Sequence, residues 1–266
     1  NEENLELFQA IEYEREFNMN LLTLENVSKS YTERMLFDNI SLGINDTDRI
    51  GVIGINGTGK STLLKIIAGI EEADSGTITK GKQVRIEYLS QTPVFDDSLS
   101  ILDNVIIGKS AKEEYRNLAG EAKSMLQRFG INDCDASCNT LSGGQKKRVA
   151  LVRTLLTSAD ILVLDEPTNH LDSTMTEWLE DYLKKFKGAF IMITHDRYFL
   201  DRVTNRIIEL DKSKLYSYTA NYSKFVELKA QREEMELATE RKNKSLYRME
   251  LEWMMRGAKA RSTKQK

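Results

Sequence analysis

The chain has 266 residues, 40% of them hydrophobic and 30% charged. That is too apolar for a disordered chain, and the length allows one large or two small domains. A formal net charge of −3 excludes a uniformly basic nucleic-acid binder, and no apolar run reaches the ~18 residues that a membrane span needs.

The charge is uneven. Residues 1–18 hold six Glu against Arg15 and lack a basic start followed by an apolar core. They read as an extension, native or added, and not as a secretory signal. From Met19 the segment Met19-Asn20-Leu21-Leu22-Thr23-Leu24 predicts a first strand. Residues 21–89 are mostly strand, with short apolar runs at 50–53 and 84–89 bounded by Gly, Asp and Asn, and one helix over 60–68. Residues 101–157 read as helical, since Tyr115, Leu118, Ala122, Met125 and Phe129 recur at steps of three and four. Strand and helix then alternate: strands at 161–164, 190–193 and 207–210, helices at 174–186 and 197–203. The pattern predicts an α/β core of parallel strands with a β-rich front and a helical insert over about 96–157. From Tyr222 a long polar helix is expected, supported by a Glu240–Lys244 pair and carrying an apolar stripe of Leu246, Met249 and Trp253 until Gly257 breaks it. Residues 241–266 hold nine Lys or Arg against Glu250 and Glu252.

Cys134 and Cys138 are too few for a disulfide framework. With His170 and His195 far off in sequence they make no zinc site. Reduced thiols and a cytoplasmic location are expected.

Three motifs carry chemistry. Gly54-Ile55-Asn56-Gly57-Thr58-Gly59-Lys60-Ser61 follows an apolar strand and opens a helix. This is the P-loop pattern, in which glycines turn backbone N–H groups around phosphate oxygens. The helix N-terminus adds its positive end. Lys60 is expected at the β- and γ-phosphates, Ser61 on Mg²⁺, and Thr62 on a further phosphate. Asp165-Glu166 follows the strand at 161–164, where carboxylates meet ligands of α/β sheets. Asp165 is then the magnesium-holding acid and Glu166 the group that orients or deprotonates the attacking water. Leu141-Ser142-Gly143-Gly144-Gln145 opens a helix, with Ser142 as its N-cap and two glycines that allow close approach to exposed amides.

In this order the three motifs resemble an ATP-binding cassette (ABC) nucleotide-binding domain over roughly residues 20–218. The resemblance implies a P-loop NTPase fold: a mixed sheet core, an antiparallel β subdomain and an α-helical subdomain. It makes Tyr31 the adenine-stacking residue. Gln91 becomes the Q-loop residue sensing magnesium and the γ-phosphate, Asp172 the D-loop aspartate, and His195 the switch histidine. ATP and Mg²⁺ are the implied ligands, with Ser61, Gln91 and Asp165 around the metal. Asn56, Gly57, Thr58 and Gly59 lie on the phosphates, and Ser142, Gly143, Gly144 and Gln145 act on the ATP of an opposing cassette.

Three stretches narrow the resemblance to the ABC-F family and its Uup-like branch: residues 165–172 with the pair Asn169-His170, residues 194–201, and residues 218–223. The end, Trp253 to Gln265, is similar to that branch as well. The expected organisation is an extension over 1–18, a cassette over 19–220, and the start of a basic interdomain linker over 221–266. Only about fifty residues separate Gln91 from Leu141, so the helical arm that many ABC-F proteins insert there is not expected. The resemblance implies an ATPase working on the ribosome, with Arg256, Lys259, Arg261 and Lys264 near RNA and a second cassette as partner. The alternatives are a transporter subunit docking on a separate membrane protein, and an ATPase acting on branched DNA.

Overall fold

The computed structural model describes residues 19–31, 34–106 and 112–262. For 112–117, 252 and 255–262 the backbone alone is described. The predicted Lys264 contact therefore lies outside the described residues, and the side chains of Arg256, Lys259 and Arg261 lie outside them too.

Two long strands open the fold, β1 (Asn20–Tyr31) and β2 (Arg34–Asn45), paired antiparallel with bulges that bend them. They are followed by β3 (Arg49–Ile53), α1 (Lys60–Ile67), β4 (Ser75–Lys80) and β5 (Ile86–Leu89). The helical insert comprises α2 (Ile101–Ile106), α3 (Lys112–Arg128), a short 3-10 turn (Cys138–Thr140) and α4 (Gly143–Leu156). Then come β6 (Ile161–Asp165), α5 (Ser173–Lys185), β7 (Ala189–Ile193), α6 (Arg197–Val203), β8 (Arg206–Asp211), β9 (Lys214–Tyr218) and α7 (Tyr222–Ser262).

There are two sheets. One is antiparallel, in the order β2-β1-β4. The other has the order β5-β6-β7-β3-β8-β9 and is parallel except for β9, which returns antiparallel on β8. The β6 and β7 strands are buried at every position, as continuous apolar runs between two covered faces must be. Alternate residues face opposite cores. Ile161, Val163, Ile191 and Ile193 pack with the β1–β2 layer and α1, whereas Leu162, Leu164, Phe190 and Met192 pack with the helical insert and α5. Gly51 in central β3 lets α6 approach, for a Cβ there would lie 2.8 Å from Leu200 Cδ2 and 3.0 Å from Ile207 Cδ1.

Strand β9 and the break between α3 and α4 depart from the sequence reading. Residues 129–137 are not helical, since Gly130 takes a left-handed φ of 71° and ends α3. The expected stop at Gly257 is also corrected: α7 continues through it to Ser262. A single interior glycine costs about 1 kcal/mol, which flanking helix formers such as Ala258, Lys259 and Ala260 offset.

The chain divides into two compact units, the first ending at Tyr222. The second is the rest of α7, whose charged residues pair along the helix: Lys224–Glu227 at 2.6 Å, Lys229–Glu233 at 3.6 Å and Glu240–Lys244 at 2.6 Å. Leu246, Met249 and Trp253 are exposed on it. No helix among the described residues is long and apolar enough to cross a membrane.

Candidate active site

The candidate site lies at the C-terminal ends of four neighbouring parallel strands. The order β5-β6-β7-β3 sets Gln91, Asp165-Glu166, His195 and the 54–61 loop side by side. At about 4.8 Å per strand, three spacings bring together residues scattered over the sequence.

The loop between β3 and α1 is shaped by three glycines at positive φ: Gly54 (152°), Gly57 (81°) and Gly59 (95°). Gly59 is the left-handed N-cap of α1 and gives the helix no side-chain cap. The first N–H groups of α1 therefore point out of the helix with no capping oxygen, which is the arrangement an anion satisfies. The Lys60 ammonium donates to the carbonyls of Gly54 (2.7 Å) and Ile55 (3.1 Å). Burial pushes its pKa down, against the attraction of Glu166 and Asp165. Thr58 Oγ1 donates to Ile55 O at 2.9 Å, while Asn56 and Gly57 are exposed.

Asp165 ends β6 and is buried at 3% exposure. Its carboxylate takes hydrogen bonds from the Ser61 hydroxyl and from Gln91 Nε2, the latter at 3.1 Å. Burial raises its pKa, and those bonds together with Lys65 and Lys60 oppose the rise. Glu166 adopts a left-handed φ of 56°, sparsely populated for a non-glycine residue, and its N–H is anchored to Ile193 O at 2.9 Å. This turn separates the directions of two adjacent acids. Glu166 Oε1 lies 3.4 Å from His195 Nε2, while Oε2 is buried with no partner. Burial raises the Glu166 pKa, opposed by His195. The His195 side chain is largely exposed. The cap of α6 is the next residue, Asp196, which accepts from Phe199 N at 3.0 Å.

Lys60, Ser61, Gln91, Asp165, Glu166 and His195 thus form one connected cluster. Tyr31 joins it at one remove, through Thr62. The other predicted residues close their hydrogen bonds on their own helices. Ser142 and Gln145 form a capping box on α4, with Ser142 N to Gln145 Oε1 at 2.9 Å and Gln145 N to Ser142 Oγ at 3.3 Å. Asp172 caps α5, accepting from Met175 N at 2.8 Å. Gly143 and Gly144 are not required by packing within this chain. A Cβ at 143 meets open space, and one at 144 would make only ordinary contact with His170 at 3.5 Å.

Sequence reasoning missed two side chains here. The Tyr88 phenol donates to Asp165, and burial together with that carboxylate pushes its pKa up to about 12. The pairing of β5 with β6, which sets Tyr88 opposite Val163, is what brings it to Asp165. Arg34 sets its guanidinium beside Gly57, with Nη1 3.3 Å from where a Cβ would be. Only the β1–β2 hairpin brings it there, so no local spacing announces it.

The donor set fits a magnesium ion. Mg²⁺ takes oxygen ligands, commonly one or two carboxylates with substrate phosphates completing the shell. Ser61, Asp165 and Gln91 supply such oxygens in one hydrogen-bonded group.

Residues 37–169 match the family model described as ABC transporter, and residues 208–266 match a second model described in the same words. The chain belongs to the ABC transporter family, as an ATP-binding cassette. A Bacillus subtilis (strain 168) protein named "Uncharacterized ABC transporter ATP-binding protein YfmR" is 45% identical, the match covering 93% of this chain and 45% of that protein. "ATP-binding protein Uup" of Buchnera aphidicola subsp. Schizaphis graminum is 38% identical, over 92% of this chain and 42% of its own length. "Energy-dependent translational throttle protein EttA" of Escherichia coli (strain K12) is 37% identical, over 88% of this chain and 49% of its own. The chain spans about half the length of the curated relatives it matches. These relatives bear out the ABC-F resemblance. Among solved structures, the dimeric post-hydrolysis state of the cassette MJ0796 with ADP and Pi superposes with a TM-score of 0.65 at 26% identity, covering 75% of this chain and 98% of that one. The fold is that of an ABC ATPase.

Proposed function

We propose that this cassette binds Mg-ATP on the 54–61 loop and hydrolyses it when a second cassette closes head-to-tail over the γ-phosphate. The observation that carries this reading is the convergence of Lys60, Ser61, Gln91, Asp165, Glu166 and His195 at one sheet edge. Lys60 leaves the carbonyls of Gly54 and Ile55 for the phosphates. Ser61 and Asp165 hold the metal, with Gln91 and Tyr88 fixing the Asp165 carboxylate. Bound magnesium neutralises phosphate charge. Glu166, part-buried and turned out of the strand direction, orients the attacking water and takes its proton, and His195 fixes that carboxylate and reaches the γ-phosphate. The uncapped α1 amides cradle the phosphates, and the Ser142–Gly144 amides of the opposing cassette close the far side. Their glycines have no packing reason within one chain, which supports an external ligand. The dimeric MJ0796 structure supports the pairing by analogy.

The test is a Glu166→Gln variant. It is expected to keep ATP affinity, to lose at least about 100-fold in phosphate release, and to elute as a dimer only with Mg-ATP. A monomer at every concentration with Mg-ATP present counts against head-to-tail closure.

We place the work of the cycle in the cytoplasm, on the ribosome. The name of the EttA relative supports this, as does the excess of Lys and Arg over residues 241–266. Glu166→Gln protein is expected to sediment with ribosomes, and neutralising Lys259, Arg261 and Lys264 together should weaken binding and flatten its salt dependence. Binding indifferent to those charges removes the linker from the interface.

A further inference from the structure

The end of β1 is clipped to the segment that follows α1 by a set of polar contacts that the reaction chemistry does not use. Lys29 Nζ lies 3.4 Å from Glu71 Oε1 and 3.2 Å from Asp74 Oδ1, and donates to Glu72 O at 2.8 Å. Asp74 Oδ2 accepts from Ser30 N at 2.7 Å and from Ser30 Oγ at 2.9 Å, and Asp74 N donates to Ser28 O at 3.0 Å. Within this clip the Tyr31 hydroxyl donates to Glu71 Oε1 and receives a bond from the Thr62 hydroxyl. The Lys29 ammonium stands 5.6 Å from the centre of the Tyr31 ring.

Tyr31 is thus held at its tip from two directions, while 46% of its surface stays exposed. An aromatic residue serving only to fill the core would bury its ring and leave the hydroxyl at the surface. Here the hydroxyl is tied down while the residue keeps nearly half of its surface exposed. Lys29 lies over one face, so a base would lie on the other. The anchors also sit at both ends of one helix: Thr62 is in the first turn of α1, next to the phosphate loop, and Glu71 follows its last turn. The stacking ring is therefore referenced to the same rigid element that presents the phosphate-binding amides.

We infer that Glu71 is a positioning residue for the nucleotide base, acting through Tyr31 by fixing the ring before the base arrives. This rests on the reading that Tyr31 stacks on adenine. A preset ring avoids the ordering cost of immobilising an aromatic side chain upon binding. Removing Glu71 leaves Lys29 its contacts with Asp74 and with the Glu72 carbonyl, so the clip itself survives.

The experiment measures the affinity of the full chain for Mg-ATP and for Mg-tripolyphosphate, which has the phosphates but no base, by titration calorimetry. The variants are Tyr31→Ala, Tyr31→Phe, Glu71→Ala, Glu71→Gln and the Tyr31→Phe/Glu71→Ala pair, with thermal melts confirming that each is folded. Tyr31→Phe and Glu71→Ala are each expected to weaken Mg-ATP by about three- to tenfold, the size of one ordinary hydrogen bond, since the lost bond acts on the base only through the ring. Both should leave tripolyphosphate unchanged. The pair should bind ATP no more weakly than Tyr31→Phe alone, and Glu71→Gln, which keeps an acceptor, should fall between wild type and Glu71→Ala. If Tyr31→Ala weakens ATP but Glu71→Ala does not, the inference about Glu71 falls and the stacking reading stands. If Tyr31→Ala leaves ATP affinity unchanged, both fall. Equal losses for ATP and tripolyphosphate in Glu71→Ala would show a support of the whole loop, and overturn a role specific to the base.

Discussion

At the scale of single residues the site combines groups that burial makes reluctant to ionise with partners that favour their charge. Lys60 is drawn down by burial, whereas Asp165 and Glu166 are drawn up. The Lys60 charge and the two carboxylates favour one another, whereas Asp165 pushes the Glu166 pKa up further, so losing Lys60 disturbs both acids. Lys60→Ala is expected to remove measurable ATP binding, as read by calorimetry, because the loss takes away the proposed phosphate grip and one of the charges that oppose the rise in the Asp165 and Glu166 pKa values. Tyr88→Phe removes one hydrogen bond from Asp165. It should raise the magnesium concentration for half-maximal phosphate release by about three- to tenfold while leaving metal-free nucleotide binding unchanged. An unchanged magnesium dependence would show that Gln91 and Ser61 suffice to fix that carboxylate. The residues of this cluster were legible in the sequence where a spacing is fixed by local geometry, as in the eight residues of the phosphate loop or the two acids ending β6. Tyr88 and Arg34 were not, because what brings them in is the pairing of β5 with β6 and the β1–β2 hairpin, and neither leaves a mark at short range.

At the scale of elements, the strands at 161–164 and 190–193 announced themselves as unbroken apolar runs, and the helix at 197–203 by its polar start. The terminating turn of α3 was hidden, because Gly130 follows an apolar periodicity that gives no sign of stopping. Strand β9 was hidden as well, with its half-buried pattern beside an antiparallel turn through Lys212 and Ser213, both at positive φ. The β3–α6 contact sets a steric limit at Gly51. Gly51→Ala drives a methyl against Leu200 and Ile207, both buried, and should lower stability by about 1–3 kcal/mol in urea denaturation. The α5–α6 contact adds an ion pair to its apolar packing. Glu180 is buried, with Lys184 Nζ at 2.5 Å and Arg202 Nη1 at 3.2 Å. Burial alone would raise its pKa, but the bonds from Lys184 and Arg202 outweigh that and hold it below the usual 4.5. A carboxyl depressed in the folded state adds stability above its unfolded pKa, and that stability is lost as pH falls through the folded value. Glu180→Gln should therefore cost about 1 kcal/mol at neutral pH, since both cations stay partly solvated. The difference from wild type should shrink steadily below about pH 4.5 in a series of thermal melts. A gap that does not narrow at all as the pH falls would mean packing, not charge.

At the scale of the whole molecule, the proposed reaction needs parts that a single cassette places on two different surfaces. Mixing two inactive variants tests that requirement. Lys60→Ala lacks the phosphate grip but keeps the α4 N-terminus, and Ser142→Arg keeps the grip but obstructs that N-terminus. Each alone should release little phosphate. An equal mixture of the two should recover about a quarter of the wild-type rate, since half of the pairs are mixed and each mixed pair has one intact site. No recovery would mean that the two surfaces do not meet in a productive dimer. The family and its sheet could be read from three short motifs. The span over which those motifs cooperate could not, because it is fixed by strand order.

That order also protects the spelling of the acidic pair. Leu164 is locked opposite Met192 and Asp165 opposite Ile193, with β5 holding the other flank. Were β6 to slide by a single position, Glu166 would stand where Asp165 stands, and every leucine, isoleucine and valine of the strand would be turned toward the wrong neighbours. The penalty would be met first among oily side chains that never see a nucleotide, so misfolding is expected to eliminate such an error before a wrongly aimed carboxylate is ever presented to substrate.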